Sequence, residues 1–197
     1  MSKRISMVLF GLTGQGKSSI ANMLIQGDIF QKGNVFEIND SAVDATITVN
    51  FSSNEEFIVY DTIGVGETSY GSVPHRKAVR EIRNYFSKCK MPLNYIAFVK
   101  KKGRFTEEDR KMFKIFKEIF EGGETNFIII ITNSGPKWVE DYSEKIKENL
   151  GDHPIIPLCS LNYVGIKLEV LDSIQAIPVI GQLISSVFCK KSDKVSS

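Results

Sequence analysis

The sequence predicts an α/β fold, a mostly parallel sheet with helices on both faces. Two observations carry this. Apolar runs rich in β-branched or aromatic residues recur along the chain, among them "ISMVLF" and "FIIIIT", and they are too continuously apolar for half-exposed strands. Between them lie segments whose apolar residues recur at helical spacing, so strand and helix alternate. A chain of 197 residues, 42% hydrophobic and 24% charged, suits one well-buried domain.

The elements follow in order. "MSKRISMVLF" has basic residues before an apolar run of about five residues, too short for a signal-peptide core. It reads as a first strand, Ile5–Phe10, and a cytoplasmic location is the default. A helix is expected over Lys17–Gln26, strands over Thr46–Phe51 and Glu56–Tyr60, a helix over Pro74–Lys88 and a strand over Asn94–Val99. In "FTEEDRKMFKIFKEIF" Thr106 can cap a helix over Glu107–Glu121, Asp109 closes a capping box, and Glu107 and Glu108 suit the positive helix start. Met112, Ile115, Phe116 and Ile119 then form a core-facing stripe. A strand Phe127–Thr132, a helix Lys137–Leu150, a strand Ile155–Leu158 and a helix Tyr163–Gln175 complete the pattern. Residues 1–160 read as the core domain and 161–197 as a helical extension.

In that extension, Ile180, Leu183, Ile184, Val187 and Phe188 fall on one helical face. The apolar span is about twelve residues, short of the ~20 that cross a bilayer. Packing on the domain, a dimer contact and an interfacial membrane helix all remain open, with Cys189 beside two lysines a site for acylation. Lys+Arg 25 against Asp+Glu 23 leaves a net charge of +2, too balanced for a general nucleic-acid binder. Cys89, Cys159 and Cys189 follow no metal-ligand spacing, and an odd count argues against a disulfide framework.

"GLTGQGKS", Gly11 to Ser18, matches the phosphate-loop pattern between a strand and a helix. Gly11, Gly14 and Gly16 let the backbone turn N–H groups inward at a β-phosphate, and the helix adds its positive end. Leu12, Thr13, Gln15 and Ser19 complete the cradle. Lys17 reaches β- and γ-oxygens, and the Ser18 hydroxyl ligates Mg²⁺. In "FIVYDTIG" Asp61 at a strand end can hold the same metal, and the Gly64 N–H can meet a γ-phosphate. That contact would make the following loop respond to the γ-phosphate. A threonine closing the metal shell is sought in "FEINDSAVDATITVNF"; Thr46 is preferred over Thr48.

"GLTGQGKSS", "DTIG" and above all "KKGRFTEEDRKMFKIFKEIF" resemble the immunity-associated GTPases (the IAN or GIMAP family), relatives of septins and chloroplast import GTPases. The family's G-R-[FY]-T-x-E-[DE] hallmark stands here as Gly103 to Asp109. The resemblance spans about residues 5–135 and fades through the last sixty. It implies a Ras-like G domain with a six-stranded sheet and one antiparallel strand. It also implies GTP/GDP binding with Mg²⁺ and nucleotide-dependent homodimerisation through the nucleotide face. The family's first-switch threonine aligns best with Thr46, and its D-T-P-G appears with Ile63 for proline.

Ras-type enzymes orient the attacking water with a glutamine after this glycine, and Val65 follows here, so unaided hydrolysis should be slow. An arginine from a dimer partner would accelerate it, and Arg104 is the candidate; Glu67 is a weaker one for placing the water. The family's base motif, T-[KR]-x-D, is replaced by Thr132-Asn133-Ser134-Gly135. Asn133 could bond guanine O6 or N7, Trp138 could stack on the purine, and Ser160 in "PLCSL" centres the last base contact. GTP is expected with weaker base selectivity than the family norm. The competing readings are a slow regulatory GTPase and a catalytically inactive nucleotide-binding scaffold. A small-molecule kinase would need an arginine-rich lid segment, and none is evident.

Overall fold

The computed structural model describes residues 4–26, 35–36, 48–63, 75–89 and 92–159. The expected helix Tyr163–Gln175, the apolar tail, Thr46, Gly64, Val65, Glu67 and Ser160 lie outside them. Six strands, β1 (Ile5–Phe10), β2 (Thr48–Ser53), β3 (Phe57–Ile63), β4 (Tyr95–Lys101), β5 (Phe127–Thr132) and β6 (Ile155–Leu158), form one sheet in the order β2-β3-β1-β4-β5-β6. All neighbours pair in parallel except β2 and β3. The helices are α1 (Lys17–Gln26), α2 (His75–Cys89), α3 (Glu107–Ile119) and α4 (Pro136–Leu150).

Why the sheet is covered on both sides follows from its side chains. Along β1, Met7 and Leu9 point to one face with Ile20, Ala21, Met23 and Leu24 of α1. Val8 and Phe10 point to the other, among Ile82 and Phe86 of α2, Met112, Phe113 and Phe116 of α3, and Ile146 and Leu150 of α4. The rings of Phe10 and Phe116 stack with centroids 3.7 Å apart, both fully buried. Truncating Phe116 to alanine should cost about 3–5 kcal/mol. Since β1, β4 and β5 are buried on both faces, continuous apolar runs are what their sequences had to contain, whereas β6, at the sheet edge, alternates between half-buried and buried residues.

Several boundaries differ from the sequence reading, the strands for reasons of pairing and the helices for reasons of capping. Strand β2 starts at Thr48, and β3 runs on to Ile63 because Thr48 pairs with it. Asp61 therefore sits inside a strand, opposite Asn50 and Leu9, and not at its end. Strand β4 continues to Lys101, which pairs with Thr132, whereas Asn94 bonds Ser6 instead of joining the strand. Helix α3 stops at Ile119 because Phe120 leaves helical geometry before Gly122, whose φ is +86°. Helix α4 begins one residue early, with Pro136 at its first turn, where no N–H is missed. Among the described residues no helix is long and apolar enough to cross a membrane.

Candidate nucleotide site

In a parallel sheet with helices on both faces, ligands collect beyond the carboxyl ends of the strands. Here β1 ends at Phe10, and the chain turns through Gly11–Gly16 into α1. Gly11 has φ +142°, and a Cβ there would lie 2.2 Å from the Val99 carbonyl oxygen of β4, so a side chain is sterically excluded. At Gly16, φ +100°, a Cβ would press within 3.3 Å of the Thr132 methyl. The loop thus lies directly against the ends of β4 and β5.

Two hydrogen bonds fasten it there. The Thr132 hydroxyl donates to the Gln15 carbonyl at 2.9 Å. The Gln15 side-chain oxygen accepts from the Lys101 N–H at 2.6 Å. Lys17 arches back over the loop, its Nζ donating to the Leu12 carbonyl at 3.0 Å. A flexible ammonium holding a loop carbonyl can exchange it for a phosphate oxygen at small cost. Leu12 packs half-buried against the core, Gly14 is exposed, and Thr13 and Ser19 are half-buried.

Beside the helix start, the Ser18 hydroxyl donates to Asp61 Oδ2 at 2.7 Å. Asp61 is fully buried, and its Oδ1 has no hydrogen-bond partner among the described residues. Burial raises its pKa, opposed by the Ser18 hydrogen bond and by the Lys17 charge. A buried carboxylate with a spare oxygen, next to a hydroxyl and a phosphate loop, fits Mg²⁺. That ion takes oxygen ligands from one or two protein groups and completes its shell with phosphates and water. No cluster of three or more His, Cys, Asp or Glu occurs among the described residues. Thr62 steadies the strand behind the Ser18–Asp61 pair, its hydroxyl donating to Leu9 O at 2.8 Å.

The loop opens sideways into a cavity of about 130 Å³. Gly14, Gln15, Gly16 and Ser19 form its phosphate side, Ile20, Met23 and Leu158 its apolar floor, and Lys101, Asn133 and Cys159 its rim. Thr132, the hinge of the whole arrangement, lines it as well. Asn133 is exposed in the left-handed region at φ +56°, which an asparagine tolerates better than most residues. Lys101 and Cys159 were not singled out from the sequence. Their signal was the register: Lys101 pairs with Thr132, and Cys159 directly follows β6, the neighbour of β5.

Trp138 corrects an expectation. It is not part of the cavity wall. Its ring stacks on Tyr142 at 4.7 Å, carries Lys102 5.6 Å above it and packs on the core, one turn into α4. Helical spacing brings it to Tyr142.

The "GRFTEED" stretch has an architectural role that the sequence shows only in part. Thr106 and Asp109 form the expected capping box. Asp109 is also 1% exposed and pairs with Lys100 Nζ at 3.4 Å, and Lys100 sits 5.9 Å above the Phe105 ring. The stretch therefore clamps the start of α3 to the end of β4, one residue from Lys101. Arg104, in the connecting loop, is exposed and makes no hydrogen bond or ion pair among the described residues. His153 is half-buried among Phe113 and Phe127, and burial followed by Lys117 lowers its pKa. It belongs to the packing at the opposite, amino-terminal edge of the sheet, just before β6.

This frame is shared with solved structures. It is similar to a dimerization-deficient mutant of Toc33 from Arabidopsis thaliana, at 14% identity and TM-score 0.63, covering 88% of this chain and 84% of that one. It is also similar to LeoA, a bacterial dynamin GTPase from ETEC, at 15% identity and TM-score 0.61, covering 98% of this chain and 38% of LeoA. The bacterial selenocysteine-specific elongation factor EF-Sec matches at 12% identity and TM-score 0.54, over 89% of this chain and 29% of its own. At such identities the likeness establishes the fold, a P-loop G domain. The AIG1 family model matches residues 5–159. That span holds the phosphate loop, the Ser18–Asp61 pair and the cavity, and so the chain, a GTP-binding G domain, belongs to the AIG1 family.

Proposed function

We propose that this protein is a slow, Mg²⁺-dependent GTPase whose G domains pair in a nucleotide-dependent homodimer. The observation that carries the reading is the fully buried Asp61, bonded to Ser18 through one oxygen and spare at the other, beside Lys17 and the glycine loop. In this reading the loop N–H groups and Lys17 hold the β- and γ-phosphates, Lys17 leaving the Leu12 carbonyl to do so. Ser18 and Asp61 would hold Mg²⁺, with Thr46 as the further ligand sought from the first switch, and the bound ion would supply neutralisation of charge on the phosphate oxygens.

Water attacks the γ-phosphorus, the bond to the β–γ bridging oxygen breaks, and GDP and phosphate leave. The Gly64 N–H supports the γ-phosphate, while Val65 offers the water no hydrogen bond, which sets the slow rate. Arg104, exposed on the loop after β4, serves as the group donated across a dimer. That Toc33, which shares this fold, has a dimerization-deficient mutant supports the pairing reading. Thr132, Asn133 and Ser160 take the base. A cytoplasmic location, with the 161–197 extension serving as an added contact surface, accompanies this reading.

Phosphate release measured against protein concentration tests it. The specific rate should rise with concentration, and Arg104→Ala should flatten the rise without weakening nucleotide binding. A background rate at every concentration, with GTP retained intact, would replace this reading by that of an inactive scaffold.

A further inference from the structure

Helix α1 buries one polar side chain that the nucleotide site does not use. Every residue from Ile20 to Leu24 is buried, and Asn22, 1% exposed, is the polar one among them. An amide taken out of water is costly unless its donor and its acceptor are both paired. Here both are paired with a single residue. Asn22 Nδ2 donates to the Phe36 carbonyl at 2.9 Å, and the Phe36 N–H donates to Asn22 Oδ1 at 2.8 Å. A paired strand residue makes the same double exchange, and a carboxamide imitates it because donor and acceptor share one planar group.

The ring of Phe36 strengthens the hold. It is 2% exposed and joins the buried cluster of Ile20, Met23 and Leu24, while Val35 beside it is 49% exposed. Main chain and ring together thus fix the chain to α1 at this one residue. Asn22 lies one turn after Ser18, on the same side of the helix, and Met23 next to it belongs to the cavity floor. The helix that carries Ser18 therefore also carries this anchor.

Phe36 stands between α1, which ends at Gln26, and β2, which begins at Thr48. Thr46, the further metal ligand sought above, comes ten residues after it. Counted between held positions of the described residues, eleven residues (37–47) separate Phe36 from β2. Without the anchor, twenty-one (27–47) would separate α1 from β2. Loop closure weakens as the 3/2 power of length, so this near doubling makes Thr46 about threefold rarer at the metal.

We propose that Asn22 is a positioning residue: by holding Phe36 against α1, it shortens the span that carries Thr46 and lowers the Mg²⁺ concentration at which nucleotide is retained. This rests on the Mg²⁺-dependent nucleotide reading above. Asn22 itself touches neither phosphate nor metal in it and acts through the chain.

The experiment titrates a hydrolysis-resistant GTP analogue into the full chain across Mg²⁺ concentrations and in EDTA. Asn22→Leu, which keeps the buried volume and removes both hydrogen bonds, and Asn22→Ala are compared with Asn54→Ala. Asn54 Nδ2 bonds the Leu24 and Ile25 carbonyls at 2.9 and 3.0 Å, so its loss loosens the far end of α1 and leaves Phe36 held. In the Asn22 variants the half-maximal Mg²⁺ concentration should rise more than twofold, about threefold from chain length alone, with affinity in EDTA unchanged. Asn54→Ala should stay within twofold of the natural chain. A smaller rise in the Asn22 variants, a comparable rise in Asn54→Ala, or an equal loss of affinity in EDTA overturns the proposal. A second measurement needs no variant: in the ligand-free natural chain the Phe36 N–H should exchange with solvent at least tenfold more slowly than an open amide. Weaker protection means that the anchor does not hold, and overturns the proposal as well. Nucleotide binding by the natural chain that ignores Mg²⁺ would overturn the metal reading and this proposal with it, while protection at Phe36 would still show the anchor intact.

Discussion

At the phosphate end of the cleft each functional group is held by a second one. Lys17 is parked on Leu12, Ser18 on Asp61, and Gln15 is fastened by both Thr132 and Lys101. Farther along the cavity, at the proposed base end, Asn133 stands exposed in a left-handed turn, and Ser134 after it faces the core. Preorganised groups contribute affinity with little ordering cost, whereas loose ones contribute little selectivity. On the proposed reading, such a chain would grip a polyphosphate firmly and read its base weakly.

The largest expected effect breaks the firm end. Lys17→Ala should weaken GTP binding at least 100-fold, about 2.7 kcal/mol, while leaving the ranking of bases as it was. Isothermal titration with several nucleotides checks both parts. If the ranking changed as well, the two ends would not be separable.

Asp61→Asn should be smaller in affinity but sharper in signature. It keeps the shape and the Ser18 contact while removing a buried charge. Nucleotide binding should lose its Mg²⁺ dependence, so that the variant in Mg²⁺ behaves like the natural chain in EDTA. Ligand-free stability should rise by on the order of 1 kcal/mol, since an unsatisfied buried ionised oxygen is gone. The pH dependence has a definite sign. Burial raises the Asp61 pKa, so the ligand-free fold favours the protonated carboxyl, and the stability this gives is lost as pH rises through the raised value. Metal binding needs the carboxylate, so Mg²⁺-dependent affinity should fall as pH drops through that same raised value. Titrations from neutral into acidic pH, compared with Asp61→Asn, isolate the effect.

Thr132→Val tests the joint between the two ends. It removes the hydroxyl that holds the Gln15 carbonyl and keeps the branched shape against Gly16. The expected cost is about 1 kcal/mol in stability and roughly fivefold in affinity for all nucleotides equally. An effect confined to one base would assign Thr132 to base reading.

How much of this was legible in the sequence follows the same division. The phosphate loop is a local motif that also fixes the start of Lys17–Gln26, and Ile5–Phe10 and Phe127–Thr132 were bounded to the residue because burial on both faces leaves an unbroken apolar run. Asp61 was found, but its place inside β3 depends on β2 pairing as far as Thr48, which is non-local. Lys101 and Cys159 were not assigned to the site, since their part in it comes from strand register. The capping box of Thr106 and Asp109 was visible, but the buried ion pair with Lys100 required knowing which strand end meets that helix.

Trp138 supplies the smallest effect and the clearest check on the base end. An indole one turn after the base turn invites the role of a purine platform, and chemistry alone permits it. The structure gives the ring other company: Tyr142 four residues on, Lys102 above, the core beneath, and no share in the cavity wall. Trp138→Ala should therefore destabilise the fold by about 1 kcal/mol, through the lost stacked pair and half-buried area, and leave nucleotide affinity within twofold. Thermal unfolding and titration on the same sample give both numbers. A tenfold loss of affinity without loss of stability would put the indole on the base after all. The weakly reading end would then have an aromatic anchor, and the contrast between the two ends would shrink to a matter of hydrogen bonds.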